Sequence, residues 1–220
     1  MCGRFSLAID IEEFLESLGF GVIPQLKHPR EYNIAPSQPV LALIADPMPR
    51  IDILQWGFIP TWAKPDLDIK PVINARGETI SEKPFFRGAF KSARCAVIAD
   101  GYYEWQKNAN EKIPYRITMK DGEPFAIASL WSSPKMIDGS SAHTCALVTT
   151  DSNNYLQQIH NRMPVILSPE DINVWLDPKA TERELKTIIK CYPDELMNAY
   201  QVSNLVNSPA NNLANCIIPV

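Results

Sequence analysis

Metal-ligating material is scarce in this chain, with three histidines in 220 residues. The five cysteines (Cys2, Cys95, Cys145, Cys191, Cys216) are scattered, odd in number and lack a Cys-x-x-Cys pair. That pattern argues against a disulfide framework and against a structural zinc site. Glycine is sparse and proline abundant, 9 against 19, which favours short elements and rigid turns over long helices. No apolar run approaches membrane-spanning length and no charged-then-apolar leader opens the sequence, so a cytoplasmic protein is expected. The formal net charge of −4 excludes a whole-protein basic footprint, while leaving room for a local basic groove. There is no internal repeat, low-complexity tract or linker-like break. One domain over residues 1–220 is expected, of a size that readily closes a core.

Apolar patterning is what the chain has in quantity. DIEEFLESL (10–18) places Ile11, Phe14, Leu15 and Leu18 on one helical face, with Asp10 as cap and Gly19 as stop. SPEDINVWL (168–176) has Ser168 before Pro169, and in TERELKTIIK (181–190) Thr181 and Glu184 have capping-box spacing. Strand-like runs lie at 40–45, 50–58, 94–100, 115–119, 125–131, 144–150 and 164–167, and Asp121-Gly122 reads as a hairpin turn between two of them. The density of strands predicts an α+β fold: antiparallel and mixed sheets closing into a barrel-like core, with short peripheral helices.

Polar clusters at strand ends carry the chemistry: CGRF (2–5), NARGET (74–79), DGYYEW (100–105) and HNR (160–162). Strands delivering polar tips to one rim commonly build a site. Cys95 and Cys145 lie in apolar strands and read as core filler. Cys2 is different, because removal of Met1 exposes an α-amine beside its thiol, a 1,2-aminothiol that no internal cysteine can present. Glu104, between Tyr103 and Trp105, is either an exposed glutamate or a carboxyl whose pKa an aromatic pocket raises. His160 is either a hydrogen-bonding turn residue or an acid–base group. His28 and His143 read as surface-loop residues. Asn74 and Arg76 either satisfy a turn or face a ligand.

Lys70 to Arg94 holds six cations against two carboxylates, a local charge of 6 − 2 = +4. It is either a solvated face or a phosphate track. Trp56 ends an alternating strand and reads as core. Trp62, beyond Pro60, is the better platform for an unpaired base.

Taken in order, MCGRF, YNIAPSQ (32–38), WGFIPTW (56–62), NARGET, DGYYEW and HNRMPVIL (160–167) resemble the SRAP family, the SOS-response-associated peptidases. The resemblance covers about the first three quarters of the chain. It implies a DNA-damage protein that crosslinks covalently to abasic sites in single-stranded DNA through its processed N-terminal cysteine. Cys2 would be the nucleophile, with Asn74, Glu104 and His160 as its partners. Arg76 and Arg162 would hold phosphates, Arg4 more weakly, and Trp62 and Trp105 would contact DNA. A monomer without cofactor or metal is implied, associated with the nucleoid when bound. Phe58 and Gly77 depart mildly from the family pattern. A thiol autopeptidase and a non-covalent single-stranded-DNA module are the alternatives.

Overall fold

The computed structural model describes residues 2–19, 28–45, 49–64, 69–108, 111–135 and 142–220. Its strands divide between two sheets. The larger contains β3 (Pro39–Ala45), β4 (Pro49–Trp56), β5 (Asn74–Arg76), β6 (Arg94–Ala99), β9 (Phe125–Ser132), β10 (Thr144–Asp151), β11 (Arg162–Pro164) and β12 (Ile166–Leu167). Five of these pair in a closed cycle: β10 with β4 in parallel, then β3, β6 and β9 antiparallel, with β9 returning to β10. The expected closure of the strands on themselves is therefore present. Val97, Ile98, Ala126, Ile127, Leu147 and Val148 are fully buried, because strands covered on both faces read as continuous apolar runs rather than alternations.

The smaller sheet is antiparallel, in the order β13 (Met197–Gln201), β8 (Lys112–Met119), β7 (Gly101–Lys107), β1 (Phe5–Leu7), β2 (Glu31–Ile34). The chain crosses between sheets at Asp100. Its carboxylate accepts from the Ser6 hydroxyl at 2.6 Å, the Ala8 N–H at 2.7 Å and Arg116 Nη2 at 2.8 Å. Such charge-assisted bonds, shielded from water, fix the crossing. Gly101 follows because a Cβ there would lie 2.7 Å from Arg116 Nε.

Helices α1 (Glu12–Ser17), α2 (Arg87–Ser92), α3 (Pro169–Leu176) and α4 (Glu182–Ile188) are short. Two of the caps read from sequence are formed: Ser168 Oγ accepts from the Asp171 N–H, and Thr181 and Glu184 complete a capping box. Helix α1 instead starts after Ile11 with no side-chain cap, and Asp10, one residue earlier, accepts from the Glu12 N–H through Oδ1. Two further expectations need correction. The turn at Asp121-Gly122 exists, with the Gly122 N–H on the Met119 carbonyl, but β8 and β9 belong to different sheets and make no hairpin. Arg94 is no surface cation. It is 6% exposed, and its guanidinium donates to the carbonyls of Phe90, Lys91, Trp175 and Asp177, the ends of α2 and α3. Helix ends leave such carbonyls without partners, and a buried cation satisfies them.

Candidate active site

The register of β1 on β7 brings the N-terminus to the acidic strand. Phe5 lies opposite Tyr102, Ser6 opposite Gly101, and the Tyr103 N–H donates to the Arg4 carbonyl at 2.9 Å. Continued one step, that register sets Gly3 beside Glu104. The third contributor is β5, held parallel to β10 with Asn74 opposite Leu147. Asn74 Nδ2 donates to the Cys2 carbonyl at 2.7 Å. The Asn74 Oδ1 is buried with no hydrogen-bond partner among the described residues. The fourth is the turn before β11, where His160 Nδ1 lies 3.8 Å from Glu104 Oε1. Cys2, Asn74, Glu104 and His160, far apart in sequence, thus meet at one place.

Burial sets the electrostatics. Glu104 is 4% exposed, and burial raises its carboxyl from 4.5 to about 7, with the chain's N-terminal ammonium pulling the other way. The Cys2 thiol is fully buried; burial, and then the Glu104 charge, push it far above the ordinary thiol value. The thiol is therefore protonated near neutral pH, and its sulfur is not a pre-formed nucleophile. Burial also lowers His160, with the N-terminal ammonium, Lys107 and Arg162 adding to that effect against a backbone bond that raises it. Its Nδ1 lies 3.0 Å from the Arg162 nitrogen and 3.1 Å from the Arg162 carbonyl oxygen, so it accepts from the one or donates to the other according to the tautomer of the ring. The set contains a carboxyl that titrates near neutrality and an imidazole, which suits proton transfer in both directions.

A cavity of about 370 Å³ opens on the Glu104 and His160 side of this cluster, lined by those two with Trp105, Lys107, Lys112 and Asn207; Cys2 and Asn74 lie behind its wall. Trp105 is fixed in it: its Nε1 donates to Asn207 Oδ1 at 2.7 Å, and the Arg4 guanidinium lies 6.0 Å from the ring centroid. Asn207 lies in a 3₁₀ turn (Asn204–Asn207) of the C-terminal segment, where no sequence signature marked a site residue.

The cations expected on phosphate differ in placement. Arg76 is exposed. Arg162 grips Glu78 with both nitrogens, at 2.6 and 3.0 Å, and Asp151 at 2.6 Å. Arg4 is 9% exposed, and its Nη1 donates to Asn33 Oδ1 and the Val206 carbonyl at 2.8 and 2.7 Å. It braces the C-terminal segment and Trp105 from inside. Trp62 is 57% exposed, but it lines a different cavity, of about 460 Å³, with Phe58, Phe85, Arg87 and Trp131. The two tryptophans expected to contact DNA therefore occupy separate cavities. His143 meets Asp52 at 3.2 Å away from the cluster.

Two-sheet architecture, an N-terminal cysteine and these motifs define a family, and a family model described as "SOS response associated peptidase (SRAP)" matches residues 1–209. The chain belongs to that family. It is 42% identical over 216 residues to "Abasic site processing protein YoqW" of Bacillus subtilis (strain 168), covering 96% of each chain. It is 32% identical to "Abasic site processing protein YedK" of Escherichia coli (strain K12), covering 100% of each. A crystal structure of a Bacteroides thetaiotaomicron protein superposes over 100% of both chains with a TM-score of 0.89 at 28% identity.

Proposed function

We propose that this protein processes abasic sites in single-stranded DNA by forming a covalent bond through Cys2 once Met1 is removed. The observation that supports it most is the meeting of Cys2 and Asn74 with Glu104 and His160, the last two of which line a cavity; the names of the relatives supply the substrate class.

An abasic deoxyribose equilibrates with its open-chain aldehyde. The neutral α-amine of Cys2 attacks C1′, the carbonyl oxygen takes a proton, and loss of water leaves an imine. An α-amine has an ordinary pKa of about 7.7–8.0, so a useful fraction is neutral at pH 7, unlike a lysine at about 10.4. Sγ then bonds to C1′ while the thiol proton passes to the former imine nitrogen. The product is a thiazolidine of N, Cα, Cβ, Sγ and C1′. Only water is lost, so neither oxidant nor cofactor enters. Ring closure within one residue has high effective molarity.

Because burial keeps the thiol protonated, the amine acts first and the sulfur follows. Glu104, near half-ionised at neutral pH, takes protons from the amine and thiol and returns one to the departing hydroxyl. The protonated fraction of His160 gives its proton to the sugar ring oxygen as the C1′–O bond opens to the aldehyde, and the neutral ring regains a proton from water. Asn74 holds the Cys2 backbone, and its unsatisfied Oδ1 is an acceptor for an amine or sugar proton. Arg76 and Trp105 contact the strand. Arg162 does so after exchanging a carboxylate for phosphate. Any lyase or peptidase character would draw on the same groups.

Single-stranded DNA with or without one abasic site, incubated with the protein and run under denaturing conditions, tests this reading. A shifted band is expected on abasic DNA alone, and Cys2→Ala removes it. An undiminished adduct with Cys2→Ala overturns the mechanism. Turnover of peptides with no adduct on either DNA would instead support a thiol peptidase.

A further inference from the structure

The arginines of the motifs do not line this cavity: Arg4 is turned inward, Arg162 is held by Glu78 and Asp151, and Arg76, though exposed, lies outside its wall. Instead the cavity wall carries two exposed lysines, Lys107 and Lys112. They are register partners where the chain passes from the end of β7 to the start of β8. Like charges directly opposite each other on paired strands repel. Among the described residues neither lysine is in an ion pair or hydrogen bond through its side chain, and Glu111, next to Lys112 in sequence, makes no ion pair with it. An anion between the two ammonium groups would relieve the repulsion.

The pair is also well sited for the reaction. Lys107 lies close enough to His160 for its charge to act on the ring, so an anion held by the pair sits near the acid–base cluster. The same cavity wall offers the indole of Trp105, suited to a sugar or base next to that anion. One tetrahedral oxyanion linked to a sugar meets both requirements.

We propose that Lys107 and Lys112 form a phosphodiester subsite that holds the backbone phosphate adjoining the abasic sugar and so presents C1′ to Cys2. This rests on the cavity being the abasic-site pocket. Each lysine is an ammonium point charge on a flexible stem, which tolerates either direction of strand travel better than a fixed guanidinium fork.

The test separates the subsite from the covalent chemistry. DNA carrying a tetrahydrofuran abasic analogue has no aldehyde, so binding is read by anisotropy without any bond forming. The Lys107→Gln/Lys112→Gln variant is expected to bind it about tenfold more weakly at moderate salt. Its plot of log affinity against log salt should be shallower by about 0.7 for each phosphate that is no longer neutralised. Neutral methylphosphonate linkages flanking the analogue should weaken the wild type several-fold more than the variant, which retains only its arginine contacts to phosphate. Wild-type affinity and salt slope in the variant would overturn the proposal, as would an equal methylphosphonate penalty in both proteins. If the wild type fails to crosslink true abasic DNA yet the lysine effect on the analogue stands, the subsite survives and the Cys2 chemistry fails. The reverse result sinks the subsite alone.

Discussion

Replacing Glu104 with glutamine should remove a loss of stability that the wild type suffers as pH rises through neutrality, while disabling its chemistry. In the fold the carboxyl titrates at about 7 against an ordinary 4.5. Below about pH 4.5 both folded and unfolded chains hold the proton, and burial of the neutral acid carries no charge penalty. Between 4.5 and 7 the unfolded chain ionises while the folded one resists, so stability declines as pH rises. Above 7 both are ionised and the loss is complete. At about 1.4 kcal/mol for each pH unit separating the two values, the full loss is about 3 kcal/mol. A glutamine side chain has no titrating proton, so the Glu104→Gln variant lacks this decline. The stability difference between variant and wild type should therefore shift in the variant's favour by about 3 kcal/mol from pH 4 to pH 8. The cost of burying the amide is constant in pH and cancels from that comparison. For a chain of this length the shift corresponds to roughly 6–12 °C in melting midpoint. Guanidinium unfolding at a series of pH values measures it. A difference that stays flat with pH, or moves the other way, would refute the claim that burial strains Glu104.

The Glu104→Gln variant should also lose the inflection near pH 7 in a profile of crosslinking rate; an unchanged profile assigns that proton to another group. His160→Ala should slow attachment with unaltered DNA affinity, and an equal loss of affinity would make His160 a binding residue. Cys2→Ser keeps the amine but not the thiol, so it should give an imine trapped only by borohydride reduction, visible by intact mass. Gly77→Ala drives a Cβ into Ile189 Cγ2 and should destabilise the fold by about 1–3 kcal/mol, with Ile189→Ala restoring part of it. Thermal melts of the single and double variants check this, and additive losses would contradict it.

What the sequence disclosed follows from the range of each interaction. Ser168, Thr181 and Glu184 were legible because a cap is settled within four residues. The core strands were legible because burial on both faces leaves unbroken apolar runs. Strands β1, β2, β5 and β13 were missed because three to five residues cannot display a period, and β7 (Gly101–Lys107) because Glu104 interrupts its buried run and made DGYYEW read as a polar tip after β6. The Asp121-Gly122 turn was read correctly, yet which strands pair across it depends on partners distant in sequence. Arg94 looked like any cation in a basic stretch; only the meeting of α2 and α3 reveals its four carbonyl partners.

The same division runs through the site. Cys2 drew notice from its position, and Asn74, Glu104 and His160 from their motifs, but their convergence depends on two strand registers and a turn. Asn207, Lys107 and Lys112 gave no signal, since an asparagine in an unpatterned tail and lysines on an exposed strand end look like ordinary surface. Their meaning comes from the cavity they share.

The claim that the α-amine of Cys2 acts first, ahead of its sulfur, is tested most directly by blocking that amine alone. Intact mass should be measured after abasic DNA meets the protein lacking Met1, and again with a form carrying a residue retained ahead of Cys2. The trimmed protein should gain the DNA mass less one water, and the extended protein should gain nothing, its thiol unchanged. A covalent adduct of equal yield on the extended protein would contradict the account.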